Sequence, residues 1–147
     1  MREALAEARH ALVADEIPVG AVVVDPAGCI IGRGHNAPIA LNDPTSHAEI
    51  AAIRQAAKNR GNYRLNGCIL AVTLEPCLMC AGAIVHARLH GVIFGAFDPK
   101  AGAVTSQLDG FELALHNHTP WQAGGLLETE CAAILNNFFL SRRTHER

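Results

Sequence analysis

Glu75-Pro76-Cys77-Leu78-Met79-Cys80 is the stretch in which a predicted β-strand, Cys68 to Leu74, gives way to a predicted helix. The strand is an almost unbroken apolar run, and Pro76 suits the first position of the helix, which we expect to extend to about Arg88. Another buried strand, Gly91 to Phe97, follows the helix. A helix between two buried strands is the βαβ unit, so the two strands are expected to pair in parallel.

The same stretch carries candidate metal ligands. Cys77 and Cys80, three positions apart at a helix start, lie on one face, and the imidazole of His47 would complete a three-ligand Zn²⁺ site. Three protein ligands leave one coordination position for water, as in catalytic zinc sites, whereas a structural site would need a fourth Cys or His. The sequence therefore predicts one catalytic Zn²⁺ per chain.

Glu49 is the candidate general base beside that metal, because it follows His47 by two positions. Ser46-x-x-Glu49 also fits a helix capping box, which would need no metal. A His-x-Glu triplet is expected about half a time by chance in this chain, but Cys-x-x-Cys only about 0.14 times, and about 0.01 times with the preceding Pro. Only the combination of the two motifs is therefore specific.

Before Glu75 the sequence predicts a helix, a β-hairpin and a second helix. The predicted elements are a helix over residues 2–14, strands over 19–24 and 29–33, and a helix over 46–60. The second of these helices is expected to bury Ile50, Ile53 and Ala57. Segment 34–45, with two prolines and no periodicity, is predicted to be a loop. His10, on the first helix, is expected to be solvent exposed and without a role.

The chain after the parallel strands begins with a tract, residues 98–120, that is too long for a plain connector. We expect it to shape the pocket and to hold at most a short helix, near Leu108 to Leu115. Residues 121–127 are expected to supply a short fifth strand, and Glu128 to about Arg143 an amphipathic helix. The fold class predicted is a three-layer α/β/α single domain, residues 1–147, with a mixed five-stranded sheet: a leading hairpin, then parallel strands.

The composition of the chain argues against a membrane-spanning or disulfide-rich protein. A chain of 147 residues can bury one core, and no apolar run approaches the roughly 18 residues that span a membrane. The odd count of five cysteines argues against a disulfide framework and predicts a cytoplasmic protein, with Cys29, Cys68 and Cys131 as buried thiols. The net charge of −2 gives no general attraction for nucleic acid, although basic clusters at 54–64 and 142–147 could bind phosphates locally.

His47-Ala48-Glu49 and Pro76-Cys77-Leu78-Met79-Cys80 resemble the signature of the zinc-dependent cytidine/deoxycytidylate deaminase superfamily. The similarity extends over nearly the whole chain to the bacterial adenosine deaminases that act on tRNA, and it is weakest from Thr105 to Ala123. The segments that carry it are Ile17 to Ala21, Asn42 to Glu49, Asn62 to Leu65, Thr73 to Ala83 and Phe138-Phe139.

This resemblance implies hydrolytic deamination of adenosine to inosine at the wobble position of a tRNA anticodon. A zinc-activated water would attack C6 of adenine while Glu49 moves the protons. A homodimer with the tRNA anticodon stem-loop as partner is implied as well. Six residues would contact the RNA substrate by the same resemblance: Asn36, Ala48, Asp98, Phe138, Phe139 and Arg142. Asn36 by itself also fits a residue that stabilises a turn.

The sequence departs from the family pattern at Phe97, Thr105 and Leu140. Two other functions are also compatible with parts of the sequence. A deaminase of free nucleobases or nucleotides, of the guanine or cytosine type, would use the same zinc site. A thioredoxin-like dithiol oxidoreductase also has Cys-x-x-Cys after a strand and at a helix start, but it would leave His47 and Glu49 without a role. Assays on anticodon stem-loops and free bases, together with a metal assay, separate the three.

Overall fold

The structure, a computed structural model, describes residues 1–145. Arg147, predicted to belong to a basic cluster, lies outside the described residues. In chain order the elements are α1 (Arg2–Val13), β1 (Gly20–Val24), β2 (Ile30–His35), α2 (Pro38–Leu41), α3 (Ala48–Arg60), β3 (Ile69–Leu74), α4 (Leu78–His86), β4 (Gly91–Ala96), β5 (Trp121–Gly124) and α5 (Glu128–His145). Within residues 1–145, no helix combines the length and the apolar character needed to cross a membrane.

The five strands form one mixed sheet in the order β2-β1-β3-β4-β5. β1 pairs antiparallel with β2 and β3, whereas β3 with β4 and β4 with β5 pair in parallel. The carboxylate of Asp25 accepts the backbone N–H groups of Ala27 and Cys29 in the hairpin turn, and Gly28 there adopts a φ of +85°. The predicted hairpin followed by parallel strands is confirmed.

Helices cover both faces of this sheet, which confirms the three-layer α/β/α arrangement. α1 and α5 pack on one face, where Leu5 and Cys131 share a cluster, and α3 and α4 pack on the other. α3 lies unusually close to β2, because a Cβ atom on Gly32 would come within 2.8 Å of the Ala56 side chain. Only small side chains fit this contact, so the segment that carries His47 is fixed directly onto the sheet.

The buried face of α3 differs from the prediction. Its fully buried residues are Ala48, Ala52 and Ala56, whereas the three residues predicted to be buried, Ile50, Ile53 and Ala57, are only partly buried and line a groove between α3 and α4. α3 is amphipathic, as predicted. Its contact with the glycines of β2, however, has space only for alanine side chains. The larger apolar side chains therefore lie beside the sheet contact.

Three further expectations are corrected. Segment 34–45 contains a short helix, α2, whose start is held by Glu16, since its Oε1 accepts the N–H groups of Ile39 and Ala40. α4 begins at Leu78, with Cys77 as its N-cap, so Pro76 precedes the helix. Cys29 is exposed because it follows the hairpin turn, whereas Cys68 and Cys131 are buried as predicted.

Candidate active site

The two segments predicted to carry metal ligands both enter the site at helix N-termini. His47 is the N-cap of α3 and Cys77 is the N-cap of α4, each with extended backbone dihedrals. Neither side chain makes a capping hydrogen bond, which leaves the imidazole and the thiol free to face each other. The positive ends of the two helix dipoles favour thiolates and other anions at this place.

The predicted ligand atoms converge to a separation that suits zinc. His47 Nδ1 lies 3.6 Å from Cys77 Sγ and 3.6 Å from Cys80 Sγ, and the three ligand atoms all lie within 4.8 Å of one another. Tetrahedral bonds of about 2.3 Å to sulfur and about 2.0 Å to nitrogen require about 3.6 Å between nitrogen and sulfur. The residues therefore fit a Zn²⁺ ion bound by one imidazole and two thiolates.

The electrostatics of the sulfur pair agree with such a site. The hydrogen bond with Cys80 lowers the pKa of Cys77 to about 4; burial opposes this shift and His47 supports it. The same contact with Cys77, together with burial, raises the pKa of Cys80. One thiolate is thus already favoured, and a divalent cation would remove the remaining proton, because coordinated thiols are deprotonated.

Glu49 lies on the first turn of α3 with its carboxylate inside the protein. The residue is 3% exposed, and its Oε2 has no hydrogen-bond partner within residues 1–145. Burial raises the pKa of Glu49 to about 7. The capping-box alternative is not realised, because the N-cap is His47 and it makes no side-chain capping bond. A buried oxygen without a partner is costly and is typical of functional sites.

The residues predicted to contact RNA fall into separate places. Asn36 is buried, and its Oδ1 accepts the N–H of Ala48 at 3.0 Å, which fits the turn-stabilising alternative and fixes the start of α3. Asp98 Oδ1 accepts the N–H groups of Lys100 and Ala101. The assignment of RNA contacts to these residues stays a prediction.

The aromatic and basic residues on α5 form a cluster of their own. Phe138 is buried, and the guanidinium of Arg142 lies over its ring, 4.9 Å from the centroid. Arg142 also binds Asp15, with 2.7 Å between Nη2 and Oδ1. Phe139 is 43% exposed. Phe139 and Arg142 are therefore the exposed members of this cluster, whereas Phe138 lies beneath them.

Glu75, which belongs to the motif before Cys77, has a structural role that the sequence pattern did not predict. The residue is 2% exposed, and its carboxylate accepts five hydrogen bonds from segment 98–106. Burial acts to raise the pKa of Glu75, but the hydrogen bonds from Ser106, Asp98 and Thr105 outweigh it and lower the pKa. An acid at the end of an apolar strand was the available signal, because a buried carboxylate requires donors.

An imidazole and two thiols beside a buried glutamate, at helix N-termini on an α/β/α fold, are characteristic of the zinc hydrolases that deaminate nucleobases. The chain belongs to the cytidine and deoxycytidylate deaminase family, because residues 1–96 match the model of its zinc-binding region. The resemblance seen in the sequence is thereby confirmed.

The similarity to known proteins extends beyond the zinc-binding region. The chain is 50% identical over 147 residues to the tRNA-specific adenosine deaminase of Haemophilus influenzae, covering 100% of this chain and 85% of that protein. A solved structure from work on A-to-I editing by tRNA:A34 deaminases at the wobble position has 50% identity and a TM-score of 0.89, covering 92% and 97% of the two chains. The guanine deaminase of Bacillus subtilis has 35% identity and a TM-score of 0.62, covering 78% and 83%.

Proposed function

We propose that residues 1–147 form one deaminase domain that hydrolyses adenosine to inosine at the wobble position of a tRNA anticodon. The observation that carries the chemistry is the convergence of His47, Cys77 and Cys80 beside Glu49, whose Oε2 has no hydrogen-bond partner among residues 1–145. The substrate is proposed from the relatives, since both the Haemophilus influenzae protein and the wobble-editing structure are 50% identical to this chain.

His47 Nδ1 and the two sulfur atoms of Cys77 and Cys80 would hold one Zn²⁺ per chain. A zinc ion with three protein ligands activates a water molecule as a nucleophile. The donor set supports this assignment, because the nitrogen–sulfur distances of 3.6 Å match tetrahedral coordination. Two thiolates cancel the formal charge of the ion, so a separate base is needed to remove the proton of the water.

Glu49 is proposed as that base. Within the described part of the chain its Oε2 has no hydrogen-bond partner to compete for a proton, and the close contact of α3 with β2 holds the residue in place. The carboxylate would take a proton from the water, pass it to the ring nitrogen beside C6 of adenine, and later assist the departure of ammonia. Burial keeps bulk water from supplying these protons instead.

An anticodon loop suits a buried site of this kind. Its bases are single stranded, so turning one into a pocket costs less than opening a duplex. Asn36, Ala48, Asp98, Phe138, Phe139 and Arg142 remain the proposed RNA contacts. Arg142 would have to exchange Asp15 for a phosphate, which makes its contribution dependent on salt.

A second copy of this chain is the proposed partner of the groove between α3 and α4. The groove is apolar and its lining includes Ile50, Ile53, Ala57 and Ala83. Partly exposed isoleucines in a groove of this kind favour association over solvent exposure. Sedimentation at low concentration tests the homodimer, and Ile53→Glu should shift the protein to monomer if the groove is the interface.

We also propose that the protein works in the cytoplasm. All five cysteines are free thiols, and Cys29 is exposed, which suits a reducing compartment. The dithiol alternative is disfavoured by family membership and by the position of His47 between the two sulfurs. A measured content of about one zinc per chain would exclude a redox dithiol as the main role.

The decisive experiment offers the protein anticodon stem-loops that differ only in having A, C or G at the wobble position. Inosine should form from the A-containing loop alone, at a rate that falls as salt is added. Free guanine and free cytosine serve as competing substrates, because the guanine deaminase of Bacillus subtilis is similar to this chain in structure. Activity on a free base with none on the stem-loop would replace the proposal by the small-molecule alternative.

A further inference from the structure

A second group of potential metal ligands lies on the other side of the sheet from α3. Glu7 and His10 of α1 meet His35 at the end of β2, and one ligand atom from each lies within 4.8 Å of the other two. Glu7 Oε2 is 3.3 Å from His10 Nδ1 and 3.1 Å from His35 Nδ1. We propose that these three residues form a second site, for a divalent transition metal ion that favours imidazole, such as Zn²⁺ or Ni²⁺.

The backbone brings these residues together without strain in the chain. Glu7 and His10 are three positions apart and so lie on the same face of α1. His35 pairs with Gly20 in the β1–β2 ladder, and a Cβ atom on Gly20 would overlap the backbone of Ala4 and Ala8. α1 therefore packs directly on the strand beside His35, which places its Glu7 side chain against the imidazole.

The separations fit coordination by one common ion. Bonds of about 2.0–2.2 Å to nitrogen and oxygen give ligand separations of about 3.3–3.6 Å at tetrahedral angles and about 2.8–3.1 Å at octahedral angles. The nitrogen–oxygen distance of 3.3 Å suits the tetrahedral arrangement and that of 3.1 Å the octahedral one, so both are compatible with one common ion. Two imidazoles and one carboxylate suit zinc or nickel, whereas Mg²⁺ and Ca²⁺ prefer sites built from oxygen ligands.

The surroundings of Glu7 orient it for this role. Arg33 Nη1 lies 2.7 Å from Glu3 Oε2 and 4.0 Å from Glu7 Oε1, so the guanidinium is on the side of the carboxylate away from the two imidazoles. Partners of this kind fix the orientation of a metal ligand. The two carboxylates and the guanidinium sum to −1, which does not repel a cation when the imidazoles are neutral.

The exposure of the group leaves room for water ligands. The Glu7 side chain is 10% exposed, whereas those of His10 and His35 are 64% and 36% exposed. An ion would thus be bound from the protein side by three residues and would complete its coordination with solvent. Its function would be to join α1 to β2, one residue before Asn36, and no step of the deamination would depend on it.

The test measures metal bound per chain, starting from protein that already contains its first zinc. Zn²⁺ or Ni²⁺ is titrated by calorimetry and by equilibrium dialysis with elemental analysis. The intact protein should bind one further ion, and His10→Gln, His35→Gln and Glu7→Gln should each weaken that step by about tenfold or more. His90→Gln, which changes an exposed histidine elsewhere, is the matched control and should bind as the intact protein does.

The first zinc equivalent reports whether each variant has folded, because it depends on His47, Cys77 and Cys80. If a variant loses that equivalent, nickel-induced broadening of the His10 and His35 imidazole signals in the intact protein decides the question. The proposal is overturned if excess metal adds no second equivalent. It is overturned equally if a second equivalent binds and the His10 and His35 variants retain it.

Discussion

Glu75 accepts two hydrogen bonds from Ser106, one from the backbone N–H at 2.8 Å and one from the hydroxyl at 2.5 Å. These residues are 31 positions apart, and the contact holds segment 98–106 against the end of β3, where Pro76 also accepts the N–H of Ala103. The segment that follows the parallel strand β4 is thus attached to the chain that leads into Cys77. A single buried carboxylate links the metal-binding helix to the long tract after β4.

Glu75→Gln should lower the free energy of unfolding by about 1–3 kcal/mol, because an amide nitrogen cannot accept the hydrogen bonds that one carboxylate oxygen accepts. Urea unfolding measures the difference. Glu112→Gln, at an exposed position of the same tract, is the control and should change stability little. Equal effects of the two substitutions would show that the network around Glu75 contributes nothing particular.

Gly34→Ala should destabilise the protein by about 1–3 kcal/mol and reduce zinc content, because the added Cβ would lie 2.5 Å from Ala52 N and push α3 away from β2. Thermal unfolding and elemental analysis give the two readouts. Gly82→Ala is the matched substitution, since no atom of the described residues lies within 4 Å of a Cβ there and alanine suits a helix better by about 0.5–1 kcal/mol. A Gly34 variant with full stability and zinc content would contradict the close contact.

Glu49→Ala should keep zinc but lose roughly 10²- to 10⁴-fold in rate, because the proton transfers lose their carboxylate. Single-turnover conversion of an anticodon stem-loop measures the rate, and elemental analysis measures the metal. Glu49→Gln keeps the shape of the side chain and should show a similar loss. Turnover near that of the intact protein in either variant would refute the role of Glu49.

Removal of zinc by a chelator should make Cys77 reactive toward an alkylating reagent. Its pKa of about 4 favours the thiolate, and the residue is only half-buried, so coordination would be its main protection. Cys29 is exposed and should react in both states, whereas Cys68 and Cys131 should not, because burial raises the pKa of each thiol. Mass spectrometry locates the modified residues. If Cys77 is labelled equally fast with and without the chelator, Cys77 does not coordinate zinc.

Local patterns were read reliably from the sequence. The parallel pairing around α4 follows from a helix between two apolar runs, and the candidate ligands follow from residues only two or three positions apart. The prediction for α3 was wrong in a specific way: the helix was found, but the buried stripe is Ala48, Ala52 and Ala56. Periodicity shows that a helix has two sides, but it does not show which side meets the glycines of β2.

The order of the elements, the mixed sheet and the candidate ligands could all be predicted from the sequence. The elements follow from local hydrophobic periodicity, and the ligands follow from two short motifs that lie thirty positions apart. Three contacts became apparent only from the folded chain: Glu75 with segment 98–106, Asn36 with the start of α3, and Glu7 with His35. Those pairs are separated by 12 to 31 positions. Their contacts depend on how closely the helices pack on the sheet, and that distance is set by side-chain volumes on both partners at once.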